Sequence, residues 1–395
     1  MAEEYWIFVI FLLVAAALLR DQFAFTVLYI FAGIFILGRW WSGRALRSVH
    51  FKRQVVQRAF QGEEIPVHIA ITNDSWLPVP WLRLSDSLPI ELAAPGTFKR
   101  ALTLGPREAK NFNYVLRTHK RGYYIVGPLT ASSGDIFGLG SEHRFEGGVN
   151  HLIVYPRIYQ LPKLMLISRS PLGTLRHHQP IFEDPTRVMG KRDYVTGDSL
   201  RHVDWKATAV ARKLQVKQLE PSIALETAIF LNLNSDEYDI RHRFDATEIA
   251  IIIAASVANR VASQKQSVGL NTNGLDPLAE NQRCRPVPPR AGKAHLMTIL
   301  DMLARVEAGE SLSFEAMIHR EAVELPWGTT VVLITGSAED SLFDQLFQLR
   351  RAGMLVTLFL AGQVFNPKRI REKAGQFRVP FHHFRNELEL ETWQQ

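Results

Sequence analysis

The chain has 395 residues, 46 Lys and Arg against 39 Asp and Glu for a formal charge of +7, and a hydrophobic share of 47%. That length exceeds one average domain and suits two globular domains with an anchor. The one cysteine, Cys284, excludes an intramolecular disulfide and a Cys-rich zinc site; in Gln282-Arg283-Cys284-Arg285-Pro286 it reads as an inert loop thiol of a reducing compartment.

The basic excess is local. Arg39, Arg44, Arg47, Lys52, Arg53 and Arg58 fall in one stretch with no acid before Glu63. A nucleic-acid binder carries its cations on a folded face between aromatics. Here they follow an apolar segment, which points to membrane topology and not to nucleic acid. Trp6 to Leu19 and Phe23 to Leu37 contain no charge, and Arg20-Asp21-Gln22 separates them. One helix across both would be about 48 Å long, against a hydrocarbon core of ~30 Å. The expectation is a transmembrane helical hairpin in residues 1–40, with spans at about 4–19 and 22–38. Gly38 and Arg39-Trp40-Trp41 mark its exit, and a basic juxtamembrane segment covers 41–50. The cations after the second span place the turn outside and the soluble domains in the cytoplasm, making this a multi-pass protein of the cell (inner) membrane. The start, Ala2-Glu3-Glu4, lacks the basic region of a signal peptide.

Residues 51–158 carry β signals. Ile65, Val67, Ile69 and Ile71 alternate with Pro66, His68, Ala70 and Thr72, and turn residues recur at Pro95-Gly96, Gly105-Pro106, Ser133-Gly134 and Gly147-Gly148. Short strands with regular turns predict a β-sandwich-like domain. Residues 159–190, punctuated by Pro162, Pro171, Pro180 and Pro185, read as an extended linker in which His177-His178 is an exposed loop pair. From 220 to 395 strands alternate with helices: strands at 227–233, 268–270, 331–335 and 355–360, and helices at 244–263, 294–306 and 342–351. Asp340 or Ser341 is the expected N-cap of the last, and Gly353 follows its end. Such alternation implies a mainly parallel sheet wrapped by helices, with its ligand crevice at the carboxyl ends of the strands. The loops after Leu233 and Ile334 are therefore the places to look. Trp76, Trp81 and Trp327 read as core or interface aromatics.

The densest chemistry lies in residues 191–219. Gly197-Asp198 reads as a turn with Asp198 as N-cap of a helix whose apolar stripe is Leu200, Val203, Ala207, Val210 and Leu214. A second stripe holds Arg201, Asp204, Thr208 and Arg212, so Arg201–Asp204 is the expected pair. Three roles are open: buried Arg–Asp pairs that pin the segment to the α/β domain, an exposed partner surface, or acid/base chemistry by Asp198 and Asp204. The first is preferred. The last lacks a nucleophile–base pair.

Arg192, Tyr194, Gly197, Asp198, Arg201, Val203, Asp204, Trp205, Lys206, Thr208 and Ala209, followed by Leu214-Gln215-Val216, closely resemble the signature of the domain of unknown function 58 family. The resemblance extends to Lys120-Arg121-Gly122-Tyr123-Tyr124-Ile125-Val126-Gly127-Pro128-Leu129 and to Gly134-Asp135-Ile136-Phe137-Gly138-Leu139. It implies two N-terminal membrane spans, a β-domain, a C-terminal part like a von Willebrand factor A domain, and association with MoxR-type AAA+ ATPases. It implies no enzymatic activity. Metal-binding von Willebrand A domains use Asp-x-Ser-x-Ser after the first strand, then a Thr and an Asp from later loops. Here the first loop reads Asn232-Leu233-Asn234-Ser235-Asp236, and Thr335 precedes Gly336-Ser337 with no Asp. Asn232, Asn234, Asp236 and Thr335 thus form a degenerate loop, and no metal or other cofactor is expected. There is no Walker A, His-Glu-x-x-His or Gly-x-Ser-x-Gly sequence. The expected function is a non-enzymatic scaffold or adaptor for protein partners. The alternatives are a hydrolase or transferase using Asp198, Asp204 and Arg201, and a metal-dependent adhesion-type domain.

Overall fold

The computed structural model describes residues 10–11, 13–14, 22–92, 97–133, 143–161, 183–196, 198–221 and 226–394. It is a multidomain chain with several β sheets. Contacts divide it into two compact units, residues 1–157 with 303–305, and 158–302 with 306–395. Most of the expected first span, 4–19, lies outside the described residues, as do His177-His178 and the segment 134–139.

In the first unit, α1 (Gln22–Arg47) is one 26-residue helix. It does not stop at Gly38 as expected. A lone glycine costs a helix only about 1 kcal/mol, and the last turns are tied down. Trp41 Nε1 donates to the Pro78 carbonyl at 2.9 Å, and Ala45 is buried. Residues 41–50, expected as the juxtamembrane segment, are the end of this helix and the start of β1. Further up, Phe23, Tyr29 and Ile36 are exposed by 74%, 71% and 66%.

Ten strands follow: β1 (Val49–Gln54), β2 (Arg58–Phe60), β3 (Glu64–Asn73), β4 (Val79–Ser87), β5 (Thr97–Leu104), β6 (Ala109–Arg117), β7 (Gly122–Val126), β8 (Leu129–Ser133), β9 (His143–Glu146) and β10 (Asn150–Tyr155). They form sheets ordered β1-β3-β6, β2-β10-β7 and β5-β4-β8-β9. The alternation seen in the sequence places Ile65, Val67, Ile69 and Ile71 in the core, with Leu82, Leu84 and Leu152. Inside this unit Arg53 is almost wholly buried. It pairs with Asp86 at 2.6 Å and donates to Asn150 Oδ1 and to the carbonyls of Val126 and Gly148. Tyr114 donates its hydroxyl to the other Asp86 oxygen at 2.7 Å. Every strong group in this cluster has a partner, as a buried charge requires.

The second unit begins with a two-stranded antiparallel hairpin, β11 (Glu183–Asp193) against β12 (Gln215–Pro221). The end of the expected linker is thus a strand. Pro185 does not break it because the ladder shifts register between Asp184 and Val188, where a missing N–H is tolerated. Between the strands lie a 3-10 turn (Leu200–His202) and the short helix α2 (Trp205–Ala211).

The remainder alternates β13 (Glu226–Leu231), α3 (Arg243–Ser263), β14 (Ser267–Thr272), β15 (Val287–Arg290), α4 (Lys293–Arg305), α5 (Phe314–Ala322), β16 (Thr330–Thr335), α6 (Asp340–Arg351), β17 (Leu355–Ala361), α7 (Pro367–Gln376), β18 (Phe381–Phe384) and α8 (Glu387–Gln394). The six-stranded sheet runs β15-β14-β13-β16-β17-β18 and is parallel except for β15. Its central strands are continuous apolar runs because both faces are covered. Among the described residues α3 is the one helix of at least 18 residues apolar enough to cross a membrane; 72% of its apolar stretch is buried, as in a core helix. The N-cap of α6 is Glu339, one residue earlier than expected, and makes no side-chain capping bond. Trp76 and Trp327 are exposed by 68% and 52%, so neither is a core aromatic. The Trp327 indole instead lies beside Gly353, whose φ of +89° and lack of Cβ leave room for it.

Candidate functional site

The signature residues lie on the hairpin, and they divide into two groups. The first group holds its shape. Arg192 makes a bidentate pair with Asp198 at 2.7 and 2.8 Å, and Asp198 also accepts the Val195 N–H. Asp204 accepts from the N–H groups of Lys206 and Ala207, each at 3.1 Å, and pairs with Lys191 at 2.9 Å. Thr208 Oγ1 accepts the Gln215 N–H, Tyr194 N–H bonds the Leu214 carbonyl, and Val203 bridges Val216. Gly197 is outside the described residues.

This corrects the sequence reading in two respects. The helix begins at Asp204 and not at Asp198, because Asp198 is already engaged by Arg192 and the Val195 amide. The partner of Asp204 is Lys191 across the hairpin, not Arg201. Cross-strand pairing brings Lys191 close, and no helical spacing rule reveals it. The Arg192 hydrogen bonds hold Asp198 below the ordinary carboxylate pKa, with help from Val195; the Lys191 bond and the Ala207 amide do the same for Asp204.

The second group faces water. Trp205 is 68% exposed and Val210 84%, with Leu200 and Val195 likewise open. Arg201, Lys206, Arg212, Lys213 and Lys217 are exposed and form no ion pair among the described residues. Among residues 190–196 and 198–217, where burial is described, Val203 and Val216 are the buried ones. The expected pinning of Arg–Asp pairs in the interior is absent here: the pairs are at the surface.

The second region lies at the carboxyl ends of β13 and β16. Three of the four degenerate-loop residues converge there. Asn232, fully buried, donates from Nδ2 to Thr335 Oγ1 at 2.9 Å and to Glu237 Oε2 at 2.8 Å. Its Oδ1 accepts from the Asn234 N–H and from Asn273 Nδ2. Asn234 Nδ2 donates to the other Glu237 oxygen at 3.1 Å, and Phe314 N–H joins it there. Asp236, the carboxylate expected to contribute, is exposed and outside this set. The 3-10 turn Ser235–Glu237 directs the next residue, Glu237, inward instead.

Sequence reasoning missed Glu237 and Asn273. Their signal was only a polar residue near a strand end, and it is shared by many loops. Gly336 stands where an Asp was sought after Thr335. A Cβ there would overlap the Tyr238 ring, whose hydroxyl bonds the Asn232 carbonyl at 2.6 Å. Burial raises the Tyr238 pKa, so the hydroxyl stays a donor.

Beside this network a groove of about 890 Å³ opens between the ends of β13, β16 and β17. Its walls carry Asp236, Glu237, Asp239, Glu315, Glu339 and Asp340, with Arg369 and Lys373 as the only cations.

Residues 190–331 match the family described as protein of unknown function DUF58, a span that includes most of the hairpin and the Asn232 loop. The chain is 24% identical over 349 residues to the uncharacterized protein YeaD of Bacillus subtilis strain 168, covering 86% of this chain and 81% of that one. Among solved structures it is similar to an aerotolerance-related membrane protein from Bacteroides fragilis NCTC 9343, at 12% identity and a TM-score of 0.31, over 43% of this chain and 95% of that one. A CARDB domain from Pyrococcus furiosus matches at 11% identity and a TM-score of 0.20, over 27% of this chain and 91% of that one.

Proposed function

We propose that this chain is a membrane-anchored, non-enzymatic adaptor that docks a protein partner through the hairpin of β11 and β12. The observation that carries this is the division of the signature. Arg192, Asp198, Asp204 and Thr208 fix the hairpin's shape, while Trp205 and Lys206 are left facing water. An open Trp among cations, with nearby carboxylates already engaged, has the composition of an interface hot spot.

Catalysis by Asp198, Asp204 and Arg201 fits less well. A general acid or base works best with a pKa near the working pH, and both carboxylates are held in the opposite direction. The Arg201 guanidinium pairs with neither among the described contacts. A metal-dependent adhesion domain also fits less well. The Asn232 N–H groups point between Thr335 and Glu237, where a hard cation would need oxygen acceptors.

In the same reading α1 and the segment 4–19 form the transmembrane hairpin, with the soluble units on the cytoplasmic side of the cell membrane. The exposed apolar surface of α1 supports this. The α/β unit is von Willebrand factor A-like, with its strand ends closed by amide hydrogen bonds. A MoxR-type AAA+ ATPase is the partner class that the family resemblance suggests.

The test is a photo-crosslinking residue at position 210 of the full chain, in cells. A discrete protein adduct that disappears with Trp205→Ala is expected. No adduct from position 210, or from 195 and 200 beside it, would overturn the docking role. Thiol labelling of Cys284 from outside intact cells would overturn the topology.

A further inference from the structure

The hairpin and the groove have opposite chemistry. On the hairpin, Arg201, Lys206, Arg212, Lys213 and Lys217 are exposed cations without ion pairs among the described residues, and they surround Trp205 and Val210. Its nearby acids are already engaged: Asp198 by Arg192, Asp204 by Lys191 and Asp193 by the Gln215 amide. The face it presents is therefore cationic with an aromatic centre.

The groove reverses this pattern. Six carboxylates face two cations there, a formal surplus of four negative charges. Both cations are spent on one acid, Asp340, which pairs with Lys373 and Arg369. Asp236, Asp239 and Glu339 are left exposed without a cation among the described residues. Between them lie Phe314, Leu342, Phe343 and Ile370, and Phe365 stands at the rim 90% exposed. Those four are buried and Lys373 lies over the Phe343 ring, so the apolar surface open to an incoming indole is chiefly that of Phe365, with the carboxylates around it. The volume, about 890 Å³, admits the indole with its neighbouring side chains.

A two-stranded hairpin is also marginal alone in water. It gains stability from any surface that covers it.

We infer that the hairpin's partner includes a second copy of this chain, whose acidic groove receives Trp205 and the cations around it. The inference rests on the hairpin being a docking surface. It adds that the complementary surface belongs to the same polypeptide. Because the two surfaces differ, the contact is head to tail, and repetition leads to a ring or an open row rather than a two-fold dimer.

The test uses the full chain in detergent, with light scattering across a concentration series. The unmodified protein should self-associate, and more weakly as salt rises from about 0.05 M to about 0.5 M, because exposed charges are screened. Lys206→Glu with Lys213→Glu should weaken association at least about tenfold, and so should Asp236→Lys with Glu339→Lys. The first variant cuts the hairpin's five exposed positive charges to a net of one, and the second cancels the groove's surplus of four negative charges, so neither alone keeps the attraction. An equimolar mixture restores one matched contact, so association should return.

A second readout uses two Cys284→Ser chains, one carrying Ala209→Cys and the other Phe365→Cys. A bis-maleimide should join them into a product of twice the chain mass. A protein that stays monomeric, association indifferent to salt and to both charge reversals, or a mixture that fails to recover would each overturn the inference. If position 210 crosslinks to a different protein while the chain stays monomeric, the adaptor reading stands and self-docking falls. The salt series on the unmodified chain decides the matter if either variant does not fold.

Discussion

Arg53–Asp86 and Arg192–Asp198 are the same chemical pair at nearly the same separation, 2.6 and 2.7 Å. Their surroundings differ. The first pair's side chains are 4% and 0% exposed, the second pair's 44% and 19%. In the β unit the pair is a lock. Removing one member leaves a charge in the interior with nothing to neutralise it. On the hairpin water screens the pair, so its contribution to global stability is small. What it does there is fix the shape of a loop. The comparison teaches that the signature's Arg and Asp residues hold up a surface, whereas the charges that hold the fold lie at positions the signature does not include.

The largest expected effect tests the lock. Asp86→Ala leaves Arg53 buried without its carboxylate and should destabilise the first unit by about 3–5 kcal/mol. Chemical denaturation of the full chain measures it. A loss within about 0.5 kcal/mol would mean that the pair is not buried as described.

Next is the strand-end network. Asn232→Asp replaces a donor facing Glu237 and Thr335 with an acceptor and should cost about 1–3 kcal/mol. Millimolar Mg²⁺ should recover part of that loss, since the new carboxylate, Glu237 and Thr335 would then offer oxygen ligands to a cation. The melting temperature with and without Mg²⁺ reads both effects. An unchanged melting temperature in metal-free buffer contradicts the network.

A smaller effect separates the two regions by pH. The folded-state pKa values of Asp198 and Asp204 lie below their ordinary value. Such groups stabilise the hairpin at any pH above the unfolded value of about 3.9, and that stabilisation is lost as pH falls through the lower folded value. Amide exchange at Val195, Lys206 and Ala207 should therefore stay protected at neutral pH. It should lose protection in acid below about pH 4, while the amides of β16 keep theirs. Equal loss in both places would remove the contrast.

Much of the fold can be read from the sequence, and the reason is local. Ile65 to Ile71 alternate with period two, and the apolar runs at 227–233 and 331–335 fall within a residue or two of β13 and β16. Weakly amphipathic or short elements were not legible. Helix α5 has only Phe314, Met317 and Ile318 to mark it, and β15 contains Pro288-Pro289, which argues against a strand except at a sheet edge. For the site, the identities of the signature residues were legible and their partners were not. Lys191–Asp204 depends on how β11 pairs with β12, and Asn232–Thr335 spans 103 positions. No spacing rule reaches that far. Glu237 was passed over for Asp236 because a single turn decides which of two adjacent acids faces inward.

The most direct test of the central claim is Trp205→Ala, measured twice on the same preparation. The hairpin should keep its shape without the indole, so the unfolding midpoint should shift by no more than about 0.5 kcal/mol equivalent, while crosslinking from position 210 is lost. A lowered midpoint with crosslinking intact would mean that Trp205 supports the fold, and that the exposed face of the hairpin is not where this protein meets its partner.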